Sequence, residues 1–137
     1  MQILIVEDDA LLALMAAEAL TQFGYKVSGP VHTVDEALQI AALEKIDLAF
    51  IDINLAGHDE GIALARELRE RYDIRALFLS GQVAVARSNP DAALGLLAKP
   101  YLLEDLSRSV QFVQAYMDGK NPPPSAKPSK LEIFEPC

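Results

Sequence analysis

The chain holds 137 residues, 51% of them apolar, with a net charge of −8. That is enough for one domain with a sizeable core, yet no apolar run approaches the roughly 18 residues of a membrane span, and no basic-then-apolar leader opens the sequence. Its single cysteine, Cys137, stands last, which excludes an internal disulfide and a cysteine-held metal.

A reducing cytosol is therefore the expected compartment. The charge is unevenly spread: residues 1–60 hold 11 acids against Lys26 and Lys45, while the rest is near balance. Such an acidic half repels nucleic acid and attracts cations or basic partners.

Ile3 to Val6 form an apolar run that ends in three carboxylates, Glu7, Asp8 and Asp9. The pattern predicts a buried strand and then a charged turn. Residues 9–22, rich in Ala and Leu and stopped by Gly24, predict a first helix. A strand is expected over 25–29 and a helix over 34–44, opened by Thr33 as N-cap with Glu36 three residues on. A third strand is expected over 47–51, just before Asp52. Ile62, Leu64, Ala65 and Leu68 mark a helix over 60–71. Strands follow at 76–80 and 94–98, with a weak helix pattern over 83–93 between them. Residues 102–118 set Leu102, Leu106, Val110, Val113 and Met117 on one helical stripe.

After Gly119 the composition changes. Five of the eight prolines fall in 122–136, so residues 119–137 read as an extended or disordered tail beyond a domain of residues 1–118. Its end, Leu131 to Phe134, has apolar residues spaced to dock. A frayed terminus is favoured over docking on its own domain, a second copy or a partner.

Five alternations of strand and helix imply an α/β fold, doubly wound, with parallel strands, right-handed crossovers and helices on both faces. The almost wholly apolar strands fit a sheet buried on both sides. In such sheets chemistry sits beyond the C-terminal strand ends. The first strand delivers Glu7, Asp8 and Asp9 there, the third Asp52, the fourth Ser80 and the fifth Lys99. Gathered carboxylates repel unless a cation or proton intervenes. Oxygen-only ligands favour a hard ion such as Mg²⁺. An Asp carboxylate beside it can attack phosphorus and become an aspartyl phosphate, with metal and Lys99 neutralising charge. Each part alone has a plainer reading, and Asp9 is best explained as a helix cap. Four strand ends carrying the set together favour a functional site.

These residues carry a resemblance. Val6-Glu7-Asp8-Asp9, Asp52-Ile53-Asn54-Leu55, Leu79-Ser80-Gly81 and Lys99-Pro100 look like the receiver domain of two-component response regulators, over about residues 1–118. The resemblance implies a flavodoxin-like, five-stranded parallel sheet in the order 2-1-3-4-5. It makes Asp52 the phosphoacceptor, with Glu7, Asp8, Asp52 and the Asn54 backbone carbonyl holding Mg²⁺. Ser80 becomes the switch hydroxyl and Lys99 the phosphoryl contact, with a cis bond to Pro100. A stand-alone signalling protein is implied, phosphorylated by a histidine kinase or a histidine phosphotransfer protein, and acting through altered protein contacts. The segments 52–57, 78–81 and 99–101 are similar to stand-alone receivers that serve HWE-type kinases.

The chain also departs from the family. The loop between Leu55 and Gly61 is slightly long, and the stretch from Ser80 to Lys99 is a few residues short, which predicts a short or irregular fourth helix. The switch position three residues before Lys99, usually aromatic, is Leu96; Tyr101 is a substitute reporter, or simply a packing residue. Gln82 and Asn54 flank the approach of a hydrolytic water. The face of the fourth helix, fifth strand and fifth helix is the candidate output or homodimer surface. The first helix is a candidate kinase-docking surface, with core burial expected to take most of its apolar side chains. An Mg²⁺-dependent phosphohydrolase with an Asp nucleophile remains an alternative, although Asn54 stands where such enzymes place a second acid. Others are a flavin module, which would want a Ser/Thr/Gly-rich loop where Glu7 to Asp9 stand, and a receiver-like scaffold that is never phosphorylated.

Overall fold

The computed structural model describes residues 1–55 and 60–134. Its first strand, β1 (Gln2–Val6), shows how the sequence builds two cores. Successive side chains of a strand point to opposite faces. Leu4 and Val6 join one apolar cluster, and Ile3 and Ile5 join the other. Both faces are therefore covered, and an all-apolar strand is what such a position requires.

The remaining elements follow in alternation: α1 (Ala10–Gln22), β2 (Lys26–Val31), α2 (Val34–Leu43), β3 (Leu48–Asp52), α3 (Glu60–Tyr72), β4 (Arg75–Ser80), α4 (Val83–Arg87), β5 (Gly95–Ala98) and α5 (Leu103–Met117). The five strands pair in parallel in the order β2-β1-β3-β4-β5, as expected. Ala37 and Ala41 of α2, Leu64 and Leu68 of α3 and Ala86 of α4 pack on one face. Ala16 and Leu20 of α1 and Leu106, Val110 and Val113 of α5 pack on the other. The helix starts are capped as the sequence suggests. Asp9 accepts from the Leu11 and Leu12 amides at 3.0 and 3.1 Å, and Thr33 Oγ1 accepts from Glu36 N at 3.2 Å.

The weak helix pattern over 83–93 yields only α4, of five residues, the short fourth helix that the short Ser80–Lys99 stretch predicts. Three features differ from expectation. Leu102 leaves the stripe of α5: it sits at the N-cap, 65% exposed. In α1 the buried residues are mostly alanines, while Leu11, Leu12, Leu14 and Met15 point outward. Small side chains let that helix lie close to the sheet, and its long ones are left over.

The third difference is the tail. Residues 131–133 form a sixth strand, β6, antiparallel to β5. Leu131 is buried in the cluster under α1 and α5, and Phe134 packs against the opposite cluster. Proline-rich composition suggested a frayed end, but apolar anchors and an unpaired sheet edge outweigh it. The slightly long loop after Leu55 falls largely on residues 56–59, outside the described residues.

Candidate functional site

Register brings the strand ends together. Asp52 is level with Leu79 across β3 and β4, and Ser80 with Ala98 across β4 and β5. The Lys99 amide then donates to the Ser80 carbonyl at 2.9 Å, tying the two strand ends. Lys99–Pro100 is a cis peptide bond.

Lys99 Nζ lies 2.7 Å from Glu7 Oε1 and 3.6 Å from Asp52 Oδ2. One ammonium thus faces two carboxylates. Glu7 is 1% exposed and Asp52 8%. The short Lys99 contact is made to Glu7 Oε1, an oxygen buried from solvent. Glu7 Oε2 accepts from Asp9 N at 3.3 Å. Asp52 Oδ1 accepts from Asn54 N at 3.1 Å, which orients the carboxylate at the end of its strand. Gly61, at the start of α3, donates its amide to Ile53 O. A Cβ there would stand 2.2 Å from Asp52 O, so only glycine lets α3 come this close to the acid-bearing turn.

Burial, first, and then the neighbouring Asp52 carboxyl push Glu7 up to about 7, with Lys99 opposing them in part. The sign of the consequence follows. Between its ordinary value of 4.5 and about 7, the folded, metal-free chain keeps a Glu7 proton that the unfolded chain loses. This group's contribution to stability therefore falls as pH rises through that window. Glu7→Gln is expected to stabilise the metal-free protein relative to wild type more at pH 8 than at pH 5, measured by urea unfolding in chelator. An equal difference at both pH values contradicts this account of Glu7.

Ser80 is 2% exposed. Its Oγ accepts from Gln82 N at 2.8 Å, leaving its own proton free to donate. Tyr101 follows Pro100, and burial and then the Glu7 and Asp52 carboxylates push its phenol up to about 12. Tyr101 therefore borders the acid site and remains protonated. Its ring also lines an apolar groove of about 420 Å³ with Leu12, Met15, Lys99, Pro100 and Leu103. Leu96 is 1% exposed and faces the core, so it is corrected as a partner-surface residue: its side chain is not available to a partner.

Asp8 is exposed at the mouth of the site. Among the described residues, no three Asp, Glu, His or Cys side chains are drawn into a ready-made metal cluster. The expected set of Glu7, Asp8 and Asp52 is thus not assembled as an all-carboxylate cage. The donor chemistry nevertheless fits a hard cation: the buried Glu7 carboxylate, the nearly buried Asp52 carboxylate beside it and oxygen atoms alone.

Sequence reading missed Gly61, the groove beside Tyr101 and the partners of the tail. Only the tail left a signal, its apolar spacing.

The family model described as response regulator receiver domain matches residues 3–111. The transcriptional regulatory protein PdtaR of Mycobacterium tuberculosis is 31% identical over 81% of this chain and 55% of its own length. The phyllosphere-induced regulator PhyR of Methylorubrum extorquens is 33% identical over 73% of this chain and 38% of its own. The chain thus spans about half, or less, of these curated relatives. Among solved structures, a putative response regulator from Chloroflexus aurantiacus is 29% identical with a TM-score of 0.74, covering 83% of this chain and 97% of that one. Residues, register and relatives agree: the chain belongs to the response regulator receiver domain family of two-component signalling.

Proposed function

We propose that Asp52 accepts a phosphoryl group from a phosphohistidine, or from a small donor such as acetyl phosphate, and that the protein signals through altered protein contacts. The observation that carries this reading is the single ammonium of Lys99 set 3.6 Å from a nearly buried Asp52, with Ser80 at the next strand end. An Asp52 oxygen attacks phosphorus, the bond from phosphorus to the donor nitrogen breaks, and the histidine leaves with the electron pair and takes up a proton. Glu7, Asp8, Asp52 and the Asn54 carbonyl would hold Mg²⁺, which would supply the positive charge that lets phosphoryl oxygens approach carboxylates. Lys99 neutralises charge on the transferring group. The free proton of Ser80 donates to a phosphoryl oxygen, and its bond to Gln82 N carries that movement to the start of α4. The added group brings about −1.5 to −2 of charge.

The outward Leu12 and Met15 of α1, with Leu103 and Tyr101, line an apolar groove beside the site, and Leu11, Leu14 and Leu102 are also exposed. It suits the apolar helix of a histidine kinase, HWE-type by resemblance, or of a phosphotransfer protein. Tyr101 borders both this surface and the acids, which supports it as the reporter that Leu96 cannot be. A downstream protein receives the signal.

A phosphohydrolase is less well supported, because a backbone amide rather than a second acid reaches Asp52 Oδ1. With acetyl phosphate and Mg²⁺, the wild type is expected to gain one phosphoryl mass per chain, and chelator should prevent it. Generic aryl phosphate should show no sustained turnover. Many turnovers per chain, without accumulation of the phosphorylated form, contradict the signalling reading.

A further inference from the structure

The tail lies beyond the family match, which ends at residue 111. It is nevertheless built into the sheet. Ala98 N donates to Lys130 O at 2.9 Å, and Phe134 N to Leu94 O at 2.8 Å. Gly95 leaves the space for it: a Cβ there would stand 2.1 Å from Glu132 O. The Glu132 carboxylate receives Arg87 Nε and Nη2 at 3.0 and 2.7 Å, a two-pronged clasp between β6 and the end of α4.

Both routes from the acid site lead to this strand. Ser80 Oγ holds Gln82 N, Gln82 stands at the N-cap position of α4, and Arg87 is the last residue of that five-residue helix. Lys99 follows Ala98, whose amide is bonded to the tail. The two groups expected to meet a phosphoryl group each stand one short element from β6. The docked segment is also short, with Leu131 as its one fully buried side chain. The strand has three residues, and its clasp is a partly exposed ion pair, a kind that holds weakly. A proline-rich tether keeps the freed segment near its place.

We propose that residues 131–134 are a releasable strand, clasped to α4 by Arg87 and Glu132, whose docking is coupled through Ser80 and Lys99 to the state of Asp52. The coupling rests on the phosphoacceptor reading above. Docked, the tail covers the β5 edge between α4 and α5, the face expected to serve output or dimerisation. Released, it bares a strand edge that another chain can pair with. Linkage is reciprocal, so a phosphoryl group that loosens the strand is itself favoured when the strand is loosened.

The test is amide hydrogen exchange on the full chain, with intact mass recording phosphoryl occupancy. With acetyl phosphate and Mg²⁺, exchange at Ala98 and Phe134 is expected to rise about tenfold, within the roughly 5–150-fold range of typical couplings, while Ile5 in β1 stays protected. Glu132→Arg should give the same rise without a phosphoryl donor, and Gly95→Ala should do so from the other side of the pairing. The exchanged pair, Arg87→Glu with Glu132→Arg, should restore slow exchange. A phosphorylated chain with unchanged exchange at both amides overturns the coupling. Unchanged exchange in Glu132→Arg overturns the clasp. A chain that gains no phosphoryl mass is recognised by its mass: it overturns the phosphoacceptor reading and the coupling, and the Arg87 and Glu132 variants still decide the clasp.

Discussion

Asp52→Ala is expected to abolish phosphoryl gain from acetyl phosphate, leaving the intact mass of the Mg²⁺-treated chain unchanged. The effect is total because, among the described residues, no neighbouring acid is placed to take over. Glu7 is more deeply buried and carries a raised proton affinity, which makes it a poorer nucleophile near neutral pH. Asp8 stands outside at the mouth of the site, and Asp9 is engaged in capping α1. Among the described residues, only Asp52 combines the end of a central strand, an amide that orients one oxygen and an ammonium near the other. The variant should remain folded, since removing one of two neighbouring carboxylates relieves repulsion. A phosphoryl gain equal to wild type in this folded variant contradicts the assignment.

Lys99→Ala is expected to slow phosphoryl gain by about a hundredfold, the lower end of what loss of one charge-stabilising donor costs in comparable sites. Lys99 is the only cation within ion-pair distance of Glu7 and Asp52 among the described residues. Without it, no other described side chain neutralises the transferring group. The same variant should raise the Glu7 proton affinity further, because Lys99 is what opposes burial and Asp52 there. The first effect is read from the time course of intact mass, and the second from titration of the Glu7 carboxyl in metal-free protein. A phosphorylation rate within about twofold of wild type, far inside that hundredfold expectation, removes Lys99 from the chemistry.

Much of this site was legible because it is made of residues that end buried strands. An apolar run that stops at Asp52 or Lys99 locates both the strand and the group it presents, and parallel pairing then aligns the ends. The caps at Asp9 and Thr33 were readable for the same local reason: one side chain serves amides two or three residues away. Gly61 was not legible, since its role depends on α3 crossing close to Ile53 and Asp52, a contact no spacing announces. The outward leucines of α1 were misjudged because hydrophobic composition tells that some residues are buried, not which; the alanines took that face. The tail was misjudged because prolines and lysines dominate its composition, whereas Leu131, Phe134 and a partner on α4 decide its position.

The most direct measurement of the central claim is to trap the phosphorylated chain with borohydride, which reduces an acyl phosphate to an alcohol, and to map the reduced residue by peptide mass spectrometry. The account predicts a single reduced carboxyl, at Asp52, present with acetyl phosphate and Mg²⁺ and absent with chelator. A reduced carboxyl at any other acid, or phosphoryl mass with Asp52 unreduced, contradicts it.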